Sequence, residues 1–301
     1  MWANLVDGVR YVRAERSIAL LVLLAAIPAL FILNYLVLMP VFARDVLRIG
    51  APGLGLLNAS LGVGALSGAL IVAIVIARLP IGRASNDARV EASMWANVLD
   101  GIRYIRAERT IALLVLLAAI PALFILNYLV LMPVFARDVL KIGAPGLGLL
   151  NASLGVGALS GALLVAVLRP GGGSGRLMLA GLASASIGLI VFGLSTWLPL
   201  SCIALAALGG SQVAYYATTN TLIQVLVSPR LRGRVLSLYV MTSLGLIPFG
   251  NLMAGAIAEQ FGAPLALAGG GTVTLILLAI VAIAFPALRR VTPVQAARNR
   301  G

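Results

Sequence analysis

The chain has 301 residues, 61% of them hydrophobic and only 10% charged, and its mean hydropathy is +1.08. A soluble domain carries roughly 25% charged residues, and so little charge cannot cover this much apolar side chain in water. The solvent is lipid, and the 33 glycines and 14 prolines agree with that, since membrane helices tolerate both. With no histidine and one cysteine, zinc sites, histidine catalysis and a disulfide framework are excluded. Cys202 lies in an apolar run and reads as a small core residue.

The chain opens on a near-exact repeat. Met1 to Ala73 recurs at Met94 to Ala166, and the differences, among them Ser17/Thr110, Arg48/Lys141 and Ile71/Leu164, all keep polarity and approximate volume. A solenoid needs several repeats with atypical caps, whereas here two copies are followed by unrelated sequence. A tandem duplication or a mis-assembled reading frame accounts for it.

Each copy begins with a basic amphipathic segment, Trp2 to Arg13 in the first, whose apolar residues at 2, 5, 6, 9 and 12 form one helical stripe. Such a helix lies in the membrane interface with its arginines at the headgroups. Eight stretches then meet the need for about 20 apolar residues per crossing. They run Ile18 to Phe42, Leu54 to Ala77, Ile111 to Phe135, Leu147 to Leu168, Leu177 to Ser195, Leu200 to Leu226, Val235 to Ala258 and Leu265 to Leu288. The first is too long for the apolar core of a signal peptide, about 7–15 residues, and it recurs in mid-chain. If the spans alternate, 18 arginines fall on one side, while Arg44, Arg48, Arg137 and Lys141 fall on the other. Short loops rich in Lys and Arg stay cytoplasmic, so both termini are expected inside, in a multi-pass protein of the plasma (inner) membrane. The net charge of +13 is then a topological signal. Nucleic-acid binding is not expected, because no basic folded domain carries it.

Polarity that survives inside hydrocarbon marks function. It is densest in the sixth span, where Gln212, Tyr216, Asn220 and Gln224 are spaced by four with Thr219 beside them, so one helical ridge holds them all. Facing lipid, each would cost several kcal/mol. Interhelical hydrogen bonding explains such a ridge at about 0.6–2 kcal/mol per contact, but four large polar groups in line favour the wall of a substrate cavity. Asn127 and Tyr128, copies of Asn34 and Tyr35, together with Asn58, Asn151 and Asn251, are further intramembrane polar groups. Asn127, Tyr128 and Asn251 join the cavity candidates, although any one of them alone fits helix glue. The fifth and eighth spans carry only small hydroxyls and are expected to face lipid. Gly64-x-x-x-Gly68 and Gly157-x-x-x-Gly161 suggest close helix contact.

All nine acidic residues fall in loops or at span ends, so no span holds the carboxylate that a proton-driven carrier keeps as its relay. Arg169 to Arg176 is Gly-rich but lacks the Gly-Lys-Ser/Thr ending of a phosphate loop. No nucleophile–base pair is present. The chain is not expected to be an enzyme, and no cofactor or metal is implied.

Three segments carry a family resemblance: Val41 to Leu47 (again at Val134 to Leu140), Leu61 to Gly68 (again at Leu154 to Gly161), and Ser228-Pro229-Arg230-Leu231-Arg232-Gly233-Arg234-Val235-Leu236-Ser237-Leu238, the most specific. The sequence resembles the C-terminal half of a major facilitator superfamily exporter, in the bacterial branch that includes the enterobactin exporter. The resemblance covers Met94 to Leu288 as family helices seven to twelve. It implies an all-α helical membrane bundle belonging to a carrier of two six-helix halves with alternating access. Helices seven, eight, ten and eleven would face inward, nine and twelve outward, and Arg230, Arg232 and Arg234 become gating-loop candidates. The acidic residue usual in the family's loop between helices eight and nine is missing near Leu168 to Arg176.

The expected organisation is 1–93, a duplicated amphipathic helix and two-span hairpin; 94–288, the six-helix bundle; and 289–301, a basic cytoplasmic tail. Of the two hairpins, the second is expected to win the single packing site through its short tether, leaving the first to pack peripherally or exchange with another protomer. The expected function is small-molecule efflux by secondary transport, in an incomplete and duplicated form, with the lipid bilayer and an unknown small-molecule cargo as partners. The alternative is an inactive membrane module that needs a separate N-terminal half or self-association.

Overall fold

The computed structural model describes residues 103–168 and 174–290, with scattered positions between 39 and 71. Most of the first two predicted spans, both amphipathic segments for most of their length, and the tail beyond 290 lie outside the described residues. Those residues form α1 (Arg109–Phe124), α2 (Tyr128–Asp138), α3 (Gly143–Leu168), α4 (Ser174–Leu194), α5 (Leu198–Leu226), α6 (Pro229–Gly245), α7 (Ile247–Phe261), α8 (Ala263–Ala284) and the short α9 (Ala287–Arg290). Among the described residues, six spans are long and apolar enough to cross a membrane: Arg109–Asp138, Gly143–Ala166, Gly175–Leu194, Leu198–Leu226, Leu231–Phe261 and Ala263–Ala284. These are the last six of the eight spans read from the sequence, each within a few residues of its expected bounds.

Two expected spans are broken, and proline explains both. Pro121 lies inside α1, where it removes one amide and pushes against the preceding turn. The amides of Ile125 and Leu126 then both bond the Pro121 carbonyl, the helix stops, and α2 restarts at Tyr128. Pro248 lies instead in the first turn of α7, where it has no amide to continue the α6 ladder, and so separates α6 from α7. The eighth span stops at Ala284 instead of Leu288 because Phe285 precedes Pro286 and leaves the helical region at φ −128° and ψ 69°.

The repeat survives in local structure. In the second copy Val139 and Leu140 donate to the Phe135 carbonyl and Ile142 to that of Ala136, and in the first copy Val46 and Leu47 donate to Phe42 and Ile49 to Ala43. The turn is closed by a left-handed residue, Lys141 at φ 55° in one copy and Arg48 at φ 54° in the other.

The long helix α5 packs against both α3 and α4, α8 packs against α4, and α1 packs against α6, α7 and α8. Glycine makes the α3–α5 contact possible. A Cβ on Gly161 would stand 2.3 Å from the Gly210 carbonyl oxygen, and one on Gly209 would stand 2.4 Å from that of Leu154; Gly157 lies equally tight against Ala206. The two backbones touch, as the Gly157-x-x-x-Gly161 spacing suggested. Gly64 and Gly68, the same residues of the first copy, have nothing among the described residues within 4 Å of a would-be Cβ.

The expectation for the fifth and eighth spans needs correction. The most apolar stretch of α4 is half buried, and that of α8 is as buried as its counterpart in α5, whereas only 17% of that in α3 is buried. Small side chains do this by admitting neighbouring backbones rather than by offering polarity. Gly181 and Gly188 bring α4 onto α5, and Gly193 and Gly271 bring it together with α8. The Ser186 hydroxyl is buried and donates to the Leu182 carbonyl at 2.7 Å. The face of α3 that stays open carries Val156, Leu159 and Leu164, apolar side chains suited to lipid.

The glycine contact gives a differential test. Gly157→Leu should destabilise the detergent-solubilised protein by about 1–3 kcal/mol, the cost of overpacking. Gly64→Leu in the identical segment should change stability by less than about 0.5 kcal/mol. Thermal unfolding of both variants checks the difference, and equal losses would contradict the packing described.

Candidate functional site

Pro121 is also where the candidate site begins. A proline at position 121 leaves the Leu117 carbonyl, four residues earlier, without its helical donor. In lipid that oxygen must be satisfied by protein. Tyr215, reaching across from α5, donates its hydroxyl to the Leu117 carbonyl at 2.8 Å, and its ring is buried. The end of α1 is covered on other sides by glycines. A Cβ on Gly250 of α7 would stand 2.6 Å from the Ala122 oxygen, and one on Gly270 of α8 would stand 2.3 Å from that of Phe124.

Just beyond the break, Asn127 precedes α2 and Tyr128 begins it, both buried. The Tyr128 hydroxyl donates to Oε1 of Gln212 at 3.2 Å, so α2 meets the upper part of the α5 ridge. Tyr216 follows one turn later. Its ring packs edge-on against that of Tyr215, with centroids 5.2 Å apart, and it lies within electrostatic range of both Tyr128 and Tyr239. Tyr239 and Ser243, one turn apart on α6, are buried and complete this polar seam.

The seam holds more polar groups than it pairs. Among the described residues, buried Nε2 of Gln212, Oδ1 of Asn127, the Tyr239 hydroxyl and the Ser243 hydroxyl meet no well-formed hydrogen bond. Native proteins leave few such groups, because each costs about 1–3 kcal/mol. A seam lined by donors and acceptors without partners is suited to water or to a polar solute.

The sequence candidates separate into groups. Gln212, Tyr216, Asn127 and Tyr128 are brought together. Thr219 is wholly buried and turns back to the Tyr215 carbonyl at 2.7 Å, so its hydroxyl is spent within its own helix. Asn220 and Gln224 are exposed and bond each other, Nε2 of Gln224 to Oδ1 of Asn220 at 2.6 Å. Asn251 is buried with Oδ1 unbonded, next to Gly250 at the α1 end. Arg232 is half-buried with Nε unbonded at the start of α6, Arg234 is half-buried, and the Arg230 side chain lies outside the described residues. Cys202 is half-buried and free. Tyr215, Tyr239 and Ser243 were not among the candidates. Pro121 was the available signal for Tyr215, because it fixes which carbonyl needs a donor; the spacing of four was the signal for the pair on α6.

Residues 70–300 match the family described as transmembrane secretion effector. The multidrug efflux pump Tap of Mycolicibacterium fortuitum is 27% identical over 225 residues, which take in 73% of this chain and 53% of that pump. The chain thus spans about half the length of this relative. A crystal structure of a bacterial homologue of the human lysosomal transporter Spinster, inward-facing and unoccupied, superposes at a TM-score of 0.40 with 16% identity, covering 83% of this chain and 65% of that one. So loose a superposition bears on nothing that follows.

The Tyr215–Leu117 contact is testable by a double-mutant cycle. Tyr215→Phe should cost about 1–2 kcal/mol of stability by stranding the carbonyl. In a Pro121→Ala background the amide at position 121 can bond Leu117 directly, so the same change should cost about 1 kcal/mol less. Additive losses in thermal unfolding would show that Tyr215 serves another purpose.

Proposed function

The chain belongs to the transmembrane secretion effector family, transporters of the major facilitator type, and we propose that it is the C-terminal six-helix half of a small-molecule exporter of the enterobactin-exporter branch, preceded by a second copy of its first hairpin. It is a multi-pass membrane protein, a transporter and not an enzyme. The observation that carries the proposal is the α2–α5–α6 seam, where Nε2 of Gln212, Oδ1 of Asn127 and the Tyr239 hydroxyl are buried without a well-formed hydrogen bond. In this reading the seam is one wall of the cargo path, with Tyr128 and Tyr216 offering both aromatic faces and hydroxyls. The relative named a multidrug efflux pump supports drug export, and such a wall would hold ring-bearing compounds by stacking and a few hydrogen bonds. The arginine distribution supports cytoplasmic termini and a plasma-membrane location. Arg230, Arg232 and Arg234, entering α6 from the arginine-rich side, are proposed to gate that side.

A second reading is favoured by one specific observation. Glu108, Asp138 and Glu259, the acids among the described residues, sit at or beside span ends, so among the described residues no carboxylate lies in the middle of a span to relay protons. In that reading the chain is a module that transports only with a separate N-terminal half or with itself.

Ethidium efflux from cells expressing the chain tests both. Gln212→Leu combined with Asn127→Leu should lower the efflux rate by about tenfold, equivalent to about 1.4 kcal/mol, at unchanged membrane abundance. Unaltered efflux would reduce these residues to helix contacts. Efflux that depends on co-expressing six N-terminal helices would select the second reading.

A further inference from the structure

A groove of about 400 Å³ lies between α4 and α8, far from the seam in sequence and built from different residues. Ala180 and Ala183 line it from α4, Ala279 and Ala282 from α8, over a floor of buried leucines. On each helix the two alanines are three residues apart and share a face. Where larger side chains would interlock, methyl groups leave a slot. Arg176 and Arg289 close one end of it.

The arginines sit where lipid headgroups sit. Arg176 is the second residue of the span Gly175–Leu194, and Arg289 follows the end of the span Ala263–Ala284 by five residues. Both are exposed, and among the described residues neither guanidinium group has an ion pair or hydrogen bond. The N-terminal amides of α4 add positive partial charge at the same end. From Arg176 to Ala183 the groove descends about 10 Å along the helix, at 1.5 Å per residue, which is most of one leaflet's hydrocarbon of about 15 Å.

We infer that this groove binds an anionic phospholipid of the leaflet facing the arginine-rich side, with its phosphate between Arg176 and Arg289 and one acyl chain along the alanine-walled slot. Two guanidinium groups without a carboxylate are neutralised by an anionic headgroup, whereas a choline headgroup brings a cation of its own. Basic pockets between membrane helices on that side suit anionic headgroups. The inference is independent of the transport reading, because neither helix contributes to the seam.

Native mass spectrometry of the full chain in detergent, with phosphatidylglycerol or phosphatidylcholine added at equal concentration, tests it. Phosphatidylglycerol should be retained at least about tenfold more than phosphatidylcholine. Arg176→Gln with Arg289→Gln should abolish that preference, and Arg176→Lys with Arg289→Lys should preserve most of it. Ala180→Phe with Ala279→Phe, which fills the slot and leaves both arginines, should lower phosphatidylglycerol retention to a similar extent. Equal retention of the two lipids overturns the inference, as does a preference that survives the Gln pair or retention unaffected by the Phe pair. Displacement of the lipid by millimolar inorganic phosphate overturns it too, by reducing the site to one for free anions. Should the Gln pair fail to fold, the Lys and Phe pairs decide.

Discussion

A lipid environment offers no hydrogen bonds, so a carbonyl that loses its donor must be served from within the protein. Pro121 creates such a carbonyl at Leu117, and the Tyr215 hydroxyl serves it. That single requirement ties the broken third span to α5 and places the restart at Asn127 and Tyr128 opposite Gln212. The polar seam exists because the break exists. An unbroken helix would keep its carbonyls occupied and would have no reason to face a tyrosine hydroxyl.

The same helix, α5, carries the other constraint. Its Gly209 and Gly210 meet Leu154, Gly157 and Gly161 of α3 backbone to backbone, so it has one glycine seat and one tyrosine donor for a hairpin. The chain encodes two nearly identical hairpins. The second has its glycines in that seat, while a Cβ on Gly64 or Gly68 of the first would meet nothing within 4 Å among the described residues. Proximity favours this choice: a few residues join α3 to α4, whereas the first hairpin is separated by a whole copy, and a shorter tether raises effective concentration. The duplicated turn nonetheless repeats its hydrogen bonds and its left-handed residue in both copies, since those depend on sequence within a few residues.

Membrane spans were legible in the sequence because their signal is length and hydropathy, which tertiary packing does not alter. Asn127, Tyr128, Gln212 and Tyr216 were legible as cavity candidates by their polarity and spacing. Asn220 and Gln224 share that spacing, yet they pair with each other in the open. Helical periodicity defines a ridge, whereas neighbours decide how far along it burial extends. The fifth span was misjudged because weak polarity was read as lipid exposure, when Gly181, Gly188 and Gly193 carry the information by letting α5 and α8 approach. Tyr215 was hidden among polar neighbours and emerges only when the Leu117 carbonyl is followed to its donor.

The central claim is that the second hairpin, through Tyr128, occupies the α5 ridge at Gln212. In a Cys202→Ser background, single cysteines at positions 128 and 212 can be joined by a short bifunctional thiol reagent and compared with cysteines at 35 and 212, the equivalent pair of the first copy. The account predicts efficient linkage for 128 with 212 and little for 35 with 212. Preferential linkage of 35 with 212 would contradict it.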